Sequence, residues 1–124
     1  MPHTVSFDQQ NGIIKIRISG DSTKEDHYMA RDKALKICQE KGCTKLLVDL
    51  RKLNTKTFSV IGCFSFGESV SLKSPNIQIA HVLPRDAKSR EDIKFTSTVE
   101  ANRGKSTGEF DTMAEAKKWL LQKT

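Results

Sequence analysis

The chain has 124 residues, 36% apolar and 29% charged, which fits one domain large enough to bury a core without disulfide or metal staples. Twenty-one basic residues against fifteen acidic ones give a net charge of +6 at pH 7, which favours anionic partners. The charges are interspersed, with no block of like sign and no aromatic stacking motif, so no nucleic-acid interface is expected.

Val5–Phe7 forms a short strand, and Asn11-Gly12 closes a hairpin. In IIKIRIS, Ile14, Ile16 and Ile18 point one way and Lys15 and Arg17 the other, the alternation of a strand with one wet face. A helix follows, opened by a capping box of Ser22 with Glu25 or Thr23 with Asp26. It carries the apolar stripe Ala30, Ala34, Leu35 and Cys38, and Gly42 stops it. KLLVDL, ending in Asp49 and Leu50, reads as a central strand. After a basic, hydroxyl-rich connection, Val60, Cys63, Phe64, Gly67 and Val70 share one face of a second helix, with Phe58 and Phe66 off that face. Ser74-Pro75-Asn76 ends it. IQIAHVL is the next strand, closed by Pro84. A third helix is capped by Ser89 and stopped near Gly104, TGEF is a short strand, and Asp111 caps a last helix with the stripe Met113, Ala116, Trp119 and Leu120. Helical crossovers imply parallel pairing with an antiparallel hairpin at one edge. The whole chain, 1–124, is then one α/β sandwich around a mixed sheet, with helices covering the sheet incompletely.

No apolar run reaches the roughly 18 residues of a membrane span. The start MPHTVSFDQQ lacks the basic and apolar regions of a secretory leader. With three cysteines, Cys38, Cys43 and Cys63, the expectation is reduced thiols in a cytoplasmic protein. No further Cys or His stands at zinc-ligand spacing from Cys38 and Cys43, so no metal is expected.

The element order, LLVDLRKL, IAHVLP and the closing FDTMAEAKKWL resemble the SpoIIAA-like domains, relatives of the STAS domains, over nearly the whole chain. The resemblance implies a mixed sheet of five strands with four helices, in a small soluble bacterial protein usually without an assigned reaction. STAS-type antagonists carry a phosphorylatable serine after the third strand, in a motif similar to Asp-Ser-Ser-Gly. Here that window holds Thr57, Phe58, Ser59 and Val60. Ser59 lies near the serine's place, without the acid, second hydroxyl and glycine. Some SpoIIAA-like proteins are thought to resemble lipid carriers of the Sec14 type.

In an open α/β sheet, ligands gather outside the carboxyl ends of the strands, and the next helix offers free N–H groups there. The candidate binding rim is therefore Asp49, Arg51, Thr57, Phe58, Ser59, Phe66 and Arg85. The phenylalanines suit an apolar tail or partner, and the cations and hydroxyls suit an anion. The expectation is a non-catalytic module binding a lipid-like small molecule or a protein, a second copy of the chain included. The alternative is a STAS-type antagonist phosphorylated at Ser59 or Thr57. No phosphate-loop, dinucleotide, metalloprotease or nucleophile-elbow motif is present. Cys63 with His81 is the one nucleophile–base pair worth naming.

Overall fold

The computed structural model describes residues 3–21, 23–55 and 77–122. Their elements are β1 (His3–Asp8), β2 (Ile13–Ile18), α1 (Lys24–Lys41), β3 (Lys45–Asp49), β4 (Gln78–Val82), α2 (Ala87–Asn102), β5 (Ser106–Phe110) and α3 (Met113–Leu121). The sheet has five strands in the order β1-β2-β3-β4-β5. β1 pairs antiparallel with β2, and every later pair is parallel. This is the expected mixed sheet with an antiparallel edge. Three helices lie among the described residues instead of four. The helix expected after the third strand falls on residues 56–76, outside the described residues.

Strand alternation divides the core into two layers. Ile14, Ile16, Ile18, Leu46 and Ile79 face one side, where Ala30, Ala34 and Cys38 of α1 and Ile93 of α2 close over them. Ile13, Leu47, Ala80 and Val82 face the other, under Ala116 and Leu120 of α3. Leu35, expected in the α1 stripe, is only half-buried. Trp119 and Phe110 pack on the same side with ring centroids 5.6 Å apart. A Cβ on Gly108 would stand 2.9 Å from the Phe110 ring, so the glycine leaves room for it. Among the described residues, no helix is long and apolar enough to cross a membrane.

The helix ends follow local hydrogen-bond chemistry. Thr23 and Asp26 make the capping box of α1, with Asp26 N donating to Thr23 Oγ1 at 3.2 Å and Thr23 N to Asp26 Oδ2 at 3.0 Å. Gly42 ends α1 at φ 64°, a left-handed conformation that side chains other than glycine resist. Two expected caps are corrected. Asp86, not Ser89, caps α2: its Oδ2 accepts from Ser89 N at 2.9 Å and from the Ser89 hydroxyl at 2.8 Å. Both bonds fall on one charged oxygen, which makes them stronger than bonds to a neutral hydroxyl. Thr112, not Asp111, caps α3 by accepting from Glu115 N at 3.1 Å, while Asp111 binds Arg90 Nη1 at 3.0 Å. The threonines of α2 are accommodated because Thr96 and Thr98 donate back to the carbonyls of Asp92 and Lys94, at 3.1 and 2.9 Å.

Candidate functional site

The carboxyl ends of β2 and β3 bring Arg17 beside Asp49 in register. Both side chains lie on the face that α3 covers, since Asp49 alternates in step with Leu47. The chain turns sharply after Asp49. Arg51 N donates to Asp49 Oδ1 at 3.2 Å, Arg51 Nε to the same oxygen at 2.9 Å, and Arg51 Nη2 to Oδ2 at 3.0 Å. Arg17 Nε stands 3.4 Å from Oδ2. Burial alone would raise the Asp49 carboxyl. The Arg51 hydrogen bonds and the charges of Arg51 and Arg17 outweigh it and hold the group below the usual carboxylate range.

The loops around this pair are tied together through the backbone. Gly20 N donates to Lys52 O at 2.8 Å, and Asn54 N to Gly20 O at 3.0 Å. Gly20 has φ 71°, which lets the chain reverse after β2 while serving both bonds. Arg85 N donates to Arg51 O at 3.3 Å, linking the ends of β3 and β4. A pocket of ≈ 70 Å³ opens here, lined by Arg17, Ile18, Asp49, Arg51 and Lys52. Among the described residues its lining is polar and charged apart from Ile18, which suits a carboxylate or phosphate group. Its three cations face one carboxylate, so the pocket is left with net positive charge.

A second cluster fixes the loop after β3 from below. Thr55 is fully buried, as is Ser89. Thr55 N donates to Ser89 Oγ at 2.9 Å, and the Thr55 hydroxyl to Asp92 Oδ2 at 2.6 Å. Lys88 Nζ bridges Thr55 O at 3.0 Å and Asp92 Oδ2 at 2.7 Å. The Ser89 hydroxyl proton goes to Asp86, so each hydroxyl has one acceptor and the network closes without conflict.

A third, buried cluster lies on the opposite face. His81 of β4 is 6% exposed and Glu100 of α2 is 2% exposed, with His81 Nε2 3.5 Å from Glu100 Oε1. Among the described residues, neither His81 Nδ1 nor Glu100 Oε1 has a hydrogen-bond partner. Burial lowers the imidazole to about 4, opposed in part by a hydrogen bond to the Gly108 backbone. Burial, with the charge of Glu109, raises the carboxyl to about 8. Both groups are therefore uncharged at neutral pH.

Of the residues expected at the rim, Asp49 and Arg51 meet through their side chains, and Arg85 joins them through its backbone N–H to Arg51 O without lining the pocket. Thr57, Phe58, Ser59 and Phe66 lie outside the described residues, as does Cys63. His81, named with Cys63 from the sequence, is buried in β4, and its Nδ1 is unsatisfied among the described residues. Arg17 was missed as a site residue. Its signal was present in the wet face of IIKIRIS, but its position beside Asp49 needed the parallel register of β2 and β3. Replacing Asp49 by Asn should lower stability at pH 7 by about 1 kcal/mol, read as a shift in urea midpoint, because the bonds from the partly exposed Arg51 lose their charge assistance.

No family model matches the chain. No curated protein matches it. A solved structure, the NMR structure of the protein TM1081, is similar with a TM-score of 0.49 and 13% identity, over 96% of this chain and 88% of that one.

Proposed function

We propose that the chain is a non-catalytic, SpoIIAA-like binding module. Its rim of Arg17, Asp49, Arg51 and Lys52 takes an anionic group, the head of a small lipid-like ligand or a carboxylate of a protein partner. The observation that carries this reading is the pocket at the carboxyl ends of β2 and β3. It holds three cations against one carboxylate that is already satisfied by Arg51. Asp49 acts as a brace: it fixes the Arg51 guanidinium, leaving Arg17, with a 64% exposed side chain, and exposed Lys52 to meet the incoming charge. The described thiols support a non-catalytic role. Burial raises the Cys38 thiol, and Cys43 Sγ donates to Gly12 O at 2.9 Å, so both are poor nucleophiles.

Native mass spectrometry after incubation with dodecyl phosphate tests the reading. A one-to-one adduct is expected, reduced at least fivefold by Arg17→Gln with Lys52→Gln. An adduct indifferent to both substitutions, or none at all, would overturn it. Recovery of the protein from its source with phosphate on Ser59 or Thr57 would favour the STAS-type antagonist instead.

A further inference from the structure

α3 packs on β3, β4 and β5, and the β1–β2 half of the same sheet face carries a different kind of surface. Thr4 pairs with Arg17 and Ser6 with Lys15. Thr4, Ser6 and Arg17 are exposed and Lys15 is half-buried. Trp119 leans toward β5 through Phe110. Lys117, two residues earlier and so about 200° around the helix, lies on the flank of α3 opposite Trp119 and is half-buried. Lys15, Arg17 and Lys117 thus continue the cations of the rim down an open half-sheet. The acids of this region are engaged: Asp49 by Arg51, and Asp8 by the amides of Gln10 and Asn11 at 3.0 and 3.3 Å and by Asn11 Nδ2 at 2.8 Å.

We propose that this open half-sheet is a docking surface for an extended acidic segment of a partner protein, which runs along β2 and ends with a carboxylate in the rim. The proposal rests on the rim reading and names its partner class. Lys15 and Arg17 are two residues apart on one strand, about 6.5–7 Å. Alternate residues of an extended acidic segment have the same spacing, so one carboxylate meets Lys15, the next Arg17, and a later one Lys52. The threonine and serine of β1 supply neutral hydrogen-bonding groups beside this row. A single-stranded nucleic acid shares the spacing but would need stacking platforms. The residues facing out from this half-sheet (Thr4, Ser6, Lys15 and Arg17) include no aromatic, while Ile13 on the same face is buried under α3.

Fluorescence anisotropy with a labelled twelve-residue peptide of alternating glutamate and threonine tests this at low salt. Binding is expected to weaken as salt rises, and Lys15→Glu and Lys117→Glu should each weaken it about five- to tenfold. Lys15→Gln and Lys117→Gln, which remove charge without adding repulsion, should weaken it less and guard against misfolding as the cause. Lys36→Glu, on exposed α1 across the sheet, should change it less than twofold. Equal weakening by Lys36→Glu would reduce the effect to net charge and overturn the proposal. So would tighter binding of oligothymidylate of the same length. If dodecyl phosphate still binds the rim while the peptide ignores Lys15 and Lys117, the docking surface fails and the rim stands. If neither probe binds, both fail.

Discussion

Folding stability should peak near pH 6.5 and fall by about 2 kcal/mol between there and pH 8, with Glu100 as the cause of the alkaline limb. The carboxyl is raised to about 8 in the folded chain from 4.5. Its contribution is complete below 4.5 and is lost as pH rises toward 8, at about 1.4 kcal/mol per unit. His81 and His27 behave oppositely. Burial lowers each to about 4 from 6.5, so their contributions are complete above 6.5 and are lost as pH falls toward 4. Between 6.5 and 4.5 two histidine losses run against one carboxyl gain, which leaves a net loss of about 1.4 kcal/mol per unit on acidification. Glu100→Gln keeps the neutral side chain in place and removes its titration. Urea midpoints of this variant should be flat from pH 6.5 to 8 while those of the parent fall. Parallel curves for the two proteins would show that Glu100 is ionised in the fold.

Ser89→Ala should cost about 1–3 kcal/mol, because it leaves the Thr55 N–H in the interior with no acceptor at 2.9 Å. Thr55→Val removes the hydroxyl given to Asp92. The two sites share one network, so the double variant should lose less than the two single losses combined, by at least about 0.5 kcal/mol. Since Thr55 closes the loop that carries Arg51 and Lys52, the same substitutions should also weaken anion binding at the rim. Strictly additive losses would mean that the two residues are stabilised independently and that the loop is held by something else.

Much of this architecture was legible from period and punctuation. The alternation of Ile14, Ile16 and Ile18 gave the buried face of β2, and Asn11-Gly12 placed the hairpin. Gly42 marked the end of α1, and Ala116 with Leu120 the buried stripe of α3. Caps were harder to read because several residues near a helix start could serve. At α2, Asp86 outcompeted Ser89 because one carboxylate satisfied two donors. At α3, Thr112 won over Asp111, whose carboxylate was drawn to Arg90. The site was only half legible. Asp49 and Arg51 are neighbours in sequence, so their pairing was within reach. Arg17 is 32 positions before Asp49 and meets it only through strand register. The His81–Glu100 pair was invisible for the same reason: nothing local to either residue announces that α2 lays its glutamate over β4.

Chemical-shift mapping by NMR tests the binding surface most directly. With dodecyl phosphate, saturable shifts are expected at the amides of Arg17, Ile18, Arg51 and Lys52. With the glutamate–threonine peptide, they should extend to Lys15, Ser6 and Lys117, leaving α1 unmoved. Shifts scattered over α1 and α2, or none at Arg51 and Lys52, would contradict an anion site at the ends of β2 and β3.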